Sequence, residues 1–458
     1  MRSVKSTTLR NLLITCGLQL ITCNFLYAQE NSPYSRYGLG DIAPSTNIVN
    51  RGMGGLSAAY ADPFSVNFTN PASYSQFLSY IEEKTGKSVS GRVLFDVGIN
   101  YTSHTLREGN SPEKSTSSDI LFSYLQLGIP VKKNWGLNFG LRQVTKIYYK
   151  INHFERLYDP ITGLNIDSAV TNYNGDGGAF LGSLGTGFAI RNLSIGFNFG
   201  YLFGKKQFGT KRVFANDSVA YNPLNYNNQA SFGDIYGNAG IQYKINVNQK
   251  LLLRLGAYGN LKHNINAQDD ILRQTYVSTA AGDVQLDSVY AEKGVKGKIV
   301  YPSGYGLGFV IEKKADLKNN KYGNWLVGVD FVQNNWSEYR FYGTPDSVQD
   351  AWQFRIGGQI RPEPKKNYFS NVTYRAGICI GRDYVHVVDQ LPLLGLSFGM
   401  GLPLPNYNSL ARTQASVLNL TFEYVKRGNN QNLLKDNIFR ISAGLSFSDL
   451  WFNKRKYE

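Results

Sequence analysis

Four histidines, three cysteines and a scatter of charged residues are the groups in this 458-residue chain whose types could do chemistry. His104, His153, His263 and His386 stand far apart, with no close-spaced ligand pair and no Gly-x-Ser-x-Gly turn beside any of them. Acyl transfer needs a nucleophile, a base and an orienting group within mutual reach, and nothing in the spacing assembles them. No enzyme, no metal site and no cofactor is expected. A second set is more regular. Asp96, Arg142, Arg254, Asp330, Arg355, Arg375 and Glu423 each interrupt a run of alternating apolar residues on the opposite phase. In a closed sheet that phase faces inward, where charges pair across strands or an Arg grips a carboxylate with two N–H groups. A third set is the run from Arg51 to Phe77. Gly54 and Gly55 permit close backbone packing, and Phe64, Phe68 and Phe77 offer an apolar surface to a ligand or to the segment's own core. Asn70 and Pro71, followed by Ala72, form a rigid turn, because Pro fixes its own φ and pushes the preceding residue out of the helical region.

The elements that position these groups begin with an export signal. Arg2, Lys5 and Arg10 precede an apolar stretch from Leu12 to Leu26, no acidic residue comes before Glu30, and Ala28 offers a cleavage point. Residues 1–28 are therefore read as a signal peptide, too short for a membrane helix. Cys16 and Cys23 lie within it, so Cys379 stands alone and no intramolecular disulfide is expected. The formal charge of +15 resides in turns and tails such as Lys132-Lys133 and Lys365-Lys366. That placement suits solvated turns and contact with outer-membrane lipid or lipopolysaccharide, and nucleic acid is not expected as a partner of an exported chain.

Past the leader, no segment has the roughly 18 consecutive apolar residues of a spanning helix. Tyr (31) and Phe (26) are nonetheless abundant, with 47 Gly, and they recur on a period of two. Leu193, Ile195, Phe197, Phe199, Tyr201 and Phe203 alternate with Ser194, Gly196, Asn198 and Gly200; Trp325, Val327, Val329 and Phe331 alternate with Gly328 and Asp330. A bilayer admits only helices and closed barrels, and this alternation is the barrel pattern. Fourteen such runs, from 91–104 to 438–448, predict an all-β, 14-stranded antiparallel transmembrane barrel over 91–458. Tight connections such as Arg191-Asn192 alternate with long ones such as 152–177, 205–231 and 263–296. Short periplasmic turns, long extracellular loops and an even strand count place both termini in the periplasm of a Gram-negative bacterium. In the third strand, 135–151, the apolar series Trp135, Leu137, Phe139 and Leu141 gives way to Gln143 and Thr145. A strand rising past the membrane into water is the simpler explanation; a strand leaving the lipid wall is the other.

Residues 29–90 are rich in Gly, Pro, Asn and Ser yet carry Leu56, Tyr60, Val66 and Tyr74, more apolar content than a disordered tail. They fit a plug folded into the lumen. The run from Arg51 to Phe77, with Ala58-Ala59-Tyr60-Ala61-Asp62-Pro63 and Asn67-Phe68-Thr69-Asn70-Pro71-Ala72-Ser73, resembles the N-terminal hatch of the FadL/TodX (OMPP1) family. The tail Trp451-Phe452-Asn453-Lys454 is similar to that family's ends. The resemblance implies outer-membrane passage of long-chain fatty acids or other small hydrophobic compounds. It further implies a pocket above the hatch, gating by the hatch, and a lateral gap at the third strand. A different class stays open: a FadL-like barrel working in a protein secretion or surface-attachment machine, with a secretion-system protein bound by loops such as Tyr221–Asn228. A continuous apolar lumen favours transport, whereas a filled lumen with exposed loop patches favours the machine component.

Overall fold

The computed structural model describes residues 32–81, 88–89, 92–108, 112–214, 222–279, 282–314, 323–404 and 414–451. The signal peptide and the tail past Trp451 lie outside them. The fourteen barrel strands are β1 (Arg92–Glu108), β2 (Ser115–Lys132), β3 (Trp135–Tyr158), β4 (Asn165–Ile190), β5 (Leu193–Phe214), β6 (Leu224–Asn246) and β7 (Leu251–Asn260), followed by β8 (Gly304–Lys313), β9 (Asn324–Asn334), β10 (Ala351–Arg361), β11 (Thr373–His386), β12 (Gln390–Pro403), β13 (Ala415–Arg427) and β14 (Leu434–Leu450). Every neighbour is antiparallel, and β14 closes on β1 through seventeen residue pairs from Leu434↔Glu108 to Leu450↔Arg92. Thirteen of the fourteen expected runs each fall mainly on one of these strands, while the run expected at 297–313 covers the end of a separate strand, Gly282–Tyr301, and then β8. Among the described residues no helix is long and apolar enough to cross a membrane.

The alternation read from the sequence is the inside–outside division of the wall. Phe197, Phe199, Tyr201 and Phe203 on β5 are 41–58% exposed, while their neighbours Ser194 and Asn198 are buried. The exposed row of one strand continues on the next, so the outside presents one apolar band, as lipid requires. The tight turns also follow their residues: Asn134 (φ 69) and Arg191 (φ 53) adopt the left-handed conformation that a two-residue hairpin demands.

At the other end the strands run on much further than expected. Residues 152–177, 205–231 and 263–296 were expected as loops, yet β3 reaches Tyr158, β4 starts at Asn165, and β5 and β6 extend to Phe214 and from Leu224. Beyond β7 and before β8, a ribbon of His263–Thr279 and Gly282–Tyr301 continues the wall upward against β6. Apolar periodicity reports only the part of a strand that touches lipid. Above it, a polar sequence still forms strand when neighbours supply the hydrogen-bond ladder. The surface loop expected at Tyr221–Asn228 is thus strand from Leu224 onward.

Residues 32–78 lie inside the barrel. The segment begins at the long-loop end, where Ser32 donates its backbone N–H to Tyr148 O (3.0 Å) and Tyr34 reaches Leu434 O. It descends to the short-turn end, where a 3-10 helix (Pro71–Gln76) rests on β3, β4 and β5. Leu450 sits at that same short-turn end, beside Arg92. The two described ends therefore lie at opposite ends of the barrel; the termini themselves, expected on the short-turn side, lie outside the described residues.

Candidate functional site

The wall is built to receive the segment it encloses. Small inward residues leave a channel that backbone fills: a Cβ added to Gly136 would come within 2.3 Å of Tyr74 O, one at Gly196 within 2.4 Å of Pro71, and one at Gly357 within 2.2 Å of Met53 O. Inward polar side chains then satisfy the plug's own backbone, which has no regular ladder of its own. Asp330 accepts from the N–H groups of Ser57 (2.6 Å) and Ala58 (2.8 Å), and Asp96 accepts from Val66 (3.0 Å). Asn198 donates to Phe68 O (3.1 Å), Asn238 to Thr69 O (3.1 Å), Gln242 to Ala58 O (3.0 Å) and Arg355 to Gly55 O (3.1 Å).

Arg51 is the centre of this fastening. It ends a short helix (Ile48–Arg51) whose first turn is capped when Asn50 N–H donates to the Asn47 side chain (2.9 Å). Its guanidinium donates to Glu423 on β13 (2.9 Å), Asn100 on β1 (2.9 Å) and Ser442 on β14 (2.5 Å). Of the inward charges picked from the sequence, Asp96, Arg254, Asp330, Arg355 and Arg375 are buried, and Glu423 is mostly so. All but Arg142 and Arg375 hydrogen-bond to the plug: Arg254 donates to Ala59 O at 3.4 Å, whereas Arg375 donates to Asn419 at 3.1 Å.

The plug residues expected to act together are split by height. Asn70 holds the floor: its amide donates to Ala58 O (2.6 Å) and its oxygen accepts from Ala72 N–H (3.1 Å). Phe77 stacks on Tyr74 with centroids 5.5 Å apart, and Phe64 is half-buried with its N–H on Asp62 (2.9 Å). Gly54 (φ 68) and Gly55 (φ 88) take left-handed conformations that favour Gly, and a Cβ at Gly54 would meet Ile378 O at 2.9 Å. Gly54, Gly55 and Phe68 alone of the eight border the chamber above the floor, which has a volume of about 350 Å3. Phe68 packs edge-on to Tyr124 at 5.3 Å and lies beneath the Arg142 guanidinium at 5.3 Å. The chamber mixes tyrosine rings (Tyr236, Tyr258, Tyr301) with charges (Arg142, Arg355, Glu423) and is not continuously apolar.

Its ceiling is the start of the plug, a strap over residues 32–46. Gly38 N–H donates to Asp346 (2.8 Å), while Tyr339 and Tyr384 donate to Gly38 O (3.0 Å) and Gly40 O (2.8 Å). Arg427 donates to both Asp41 and Asp383 at 2.8 Å and lies 4.4 Å over the Tyr34 ring.

The strap also occupies a break in the wall. β2 and β3 pair from Lys132↔Trp135 only as far as Tyr124↔Arg142. Above that, β3 bulges between Gln143 and Thr145, and its freed edge takes a two-residue strand from the strap, Asp41↔Lys146 and Ile42↔Thr145. Ala43 N–H extends this to Val144 O (3.0 Å). Gln143 stands opposite Phe180, which stands opposite the outward Phe203. The polar residues of the third strand thus coincide with the point at which it parts from β2. Leu121 and Ser123 on one lip and Arg142, Gln143 and Val144 on the other all border the chamber.

Among the described residues no group of three His, Cys, Asp or Glu side chains is placed to hold a metal. His104 pairs with Asp436 (2.8 Å) and His263 packs against Tyr301 (centroids 5.2 Å apart).

A closed, plugged barrel with an outward apolar band defines an outer-membrane protein of FadL-type architecture. Solved structures agree on the fold. A Pseudomonas aeruginosa FadL homologue superposes with a TM-score of 0.55 at 12% identity over 90% of this chain and 100% of that one. The Pseudomonas putida toluene transporter TodX gives 0.52 at 14% identity over 90% and 99%. By sequence, residues 9–458 match the family model described as BamG, and the chain belongs to the BamG family. No curated protein sequence matches it.

Proposed function

We propose that this chain is a sealed outer-membrane barrel that serves as a component of a larger outer-membrane protein assembly. The observation that carries the reading is the fastening of the plug at two heights, Arg51 to Glu423 near the floor and Arg427 to Asp41 near the mouth. Hydrogen bonds to charged groups contribute about 1.5–3 kcal/mol each, so opening the lumen by withdrawing the plug would cost several such bonds at once. A barrel so sealed offers its outer surface, not its bore. Supporting this, the ribbon above β7 and β8 exposes Val277, Val284, Leu286 and Val289 at 39–69%. The test is gentle extraction from native membranes followed by native mass spectrometry. A stoichiometric protein complex is expected; a lone barrel would overturn the reading.

A second reading has its own observation. Because both lips of the β2–β3 parting border the chamber, a hydrophobic molecule in the bilayer has a sideways route to Phe68 without passing the floor. The barrel would then pass long-chain fatty acids or other small hydrophobic compounds; TodX of Pseudomonas putida, similar in fold, is a toluene transporter. Lipid extraction of the purified barrel, with and without Phe68→Ala, checks it: a defined lipophile retained by the parent and lost by the variant supports uptake.

A further inference from the structure

Outward cations near the long-loop end of the wall are held in two different ways. On β5, Lys205 pairs with Asp176 (2.6 Å) and Lys211 engages Asp283. Arg107 on β1, Arg382 on β11, Lys426 on β13 and Lys435 on β14 make no ion pair among the described residues. Each of these four stands in the outward phase of its strand, because its chain neighbour Leu106, Asp383, Arg427 or Asp436 is buried.

Strand pairing sets the four in two adjacent rows. In the upper row Trp352 stands beside Arg382 and Arg382 beside Pro392; Gly428 N–H donates to Pro392 O (2.8 Å), and Lys435 and Arg107 follow as direct partners. The lower row runs Phe354, Ile380, Leu394, Lys426, Asn437 and Thr105. Neither row contains a carboxylate. Like charges directly opposite each other on a sheet face are destabilising, so Lys435 beside Arg107 is an arrangement that an anion between them would relieve. The hydrogen bonds nearby leave the charge in place: Arg382 donates to the neutral Asp350 O (2.8 Å), and Lys435 to the Asn430 side chain.

The cations border an apolar surface. Phe354, Ile380 and Leu394 are 44–50% exposed, and Leu396, Tyr424 and Phe439 in the next row are 43–48% exposed. The patch is thus amphipathic in a fixed order, with charge toward the long loops and hydrocarbon-compatible rows beyond it. A soluble anion uses only the first part and leaves the second uncovered. An anionic lipid uses both. Long loops of outer-membrane barrels face outward, so this end meets the leaflet whose anionic lipid is lipopolysaccharide, with phosphates on its sugars and acyl chains beneath.

We infer that Arg107, Arg382, Lys426 and Lys435 form a binding site for the phosphates of lipopolysaccharide, whose acyl chains lie on the apolar rows below. An Arg can offer a phosphate two parallel N–H donors, and a Lys beside it adds a point charge. Trp352 ends the upper row with the kind of ring that settles at headgroup level. The site is on the outer face, so it is separate from the fastening of the plug and from the assembly proposed above, and the failure of one leaves the other standing.

The experiment is native mass spectrometry of lipid bound to the barrel purified from native outer membranes in mild detergent. It compares the parent with Arg107→Gln/Lys435→Gln, and with Lys205→Gln as the control for a cation that already has a partner. The parent and Lys205→Gln should retain lipopolysaccharide in stoichiometric amount, and the double variant roughly tenfold less, because two cations beside an anionic headgroup are gone. Added lipopolysaccharide should raise the unfolding temperature of the parent and not that of the double variant, while the same lipid stripped of phosphate should raise neither. In lipid-free detergent the double variant should be at least as heat-stable as the parent, which separates lost binding from lost folding. Lys426→Gln, with the like-charge pair intact, is the second variant and should show an intermediate loss. Equal retention by parent and double variant, an equal loss in Lys205→Gln, undiminished binding of the dephosphorylated lipid, equally tight retention of phosphatidylglycerol, or an acidic protein in place of lipid would overturn the inference.

Discussion

Arg427 donates one arm of its guanidinium to Asp41 and the other to Asp383, each at 2.8 Å, so that the strap is clamped to two wall strands by one side chain. The clamp is buried, with Arg427 5% and Asp383 9% exposed, and Tyr34 and Tyr384 cover its faces. Breaking it from one side strands a charge in a poorly hydrated place, which costs more than the pair gains when whole.

Arg427→Ala should therefore loosen the strap at Asp41 and β11 at Asp383 together. A disulfide placed at Ile42→Cys and Thr145→Cys, which are direct strand partners, should form readily in the parent and in lower yield in the Arg427→Ala background. The measurement is the fraction oxidised under mild conditions. Equal yields would show that strand pairing holds the strap without the clamp.

Removing Arg51 leaves Glu423 with Arg440, at 3.6 Å, as its remaining cation. Arg51→Ala should destabilise the folded barrel by about 3–5 kcal/mol, the usual cost of breaking a buried pair from one side. The midpoint of heat-induced loss of the fast-migrating form on a denaturing gel reports this. Arg51→Ala with Glu423→Ala should be less damaging than the sum of the two single changes, because the stranded carboxylate is gone.

Gly136, Gly196 and Gly256 touch plug backbone directly; a Cβ on Gly256 would lie 2.0 Å from Ala58 O. Gly256→Val should cost at least 1–3 kcal/mol, roughly the range for overpacking, and lower the folded yield. Gly182, whose added Cβ meets nothing within 4 Å, should accept Ala with no measurable change. Refolding yield in detergent compares the two.

Phe199 is 58% exposed on the lipid face, so Phe199→Lys should cost about 2–4 kcal/mol at mid-bilayer depth. Asn198, one position along, faces the plug and donates to both Phe68 O (3.1 Å) and Asn238 (3.0 Å). Asn198→Leu should destabilise by a different route, leaving the Phe68 carbonyl buried without its donor, and it should raise protease sensitivity of the plug while Phe199→Lys does not.

The wall was legible because lipid imposes one rule on every strand, and a period of two survives in any single sequence that obeys it. Leu193 to Phe203 declares its outward face without reference to any other residue. The plug was legible as apolar content in a turn-rich stretch, and its small wall partners were visible as glycines without a stated purpose. What the sequence concealed depends on residues remote from one another. Arg51 and Glu423 are 372 positions apart, and Arg427 and Asp41 are 386. The two-residue strand at Asp41 and Ile42 has no local signature, because it exists only where β3 has an edge to offer. Gln143 and Thr145 were visible as polar residues, yet the parting of β3 from β2 beside them depends on which residues of the two strands pair.

Arg51 touches Asn100 on the first strand, Glu423 on the thirteenth and Ser442 on the fourteenth. The seam at which this cylinder shuts is thus the place where its contents are gripped. One plug side chain ties together the strands on both sides of that seam, so the enclosed segment is part of what keeps the cylinder shut.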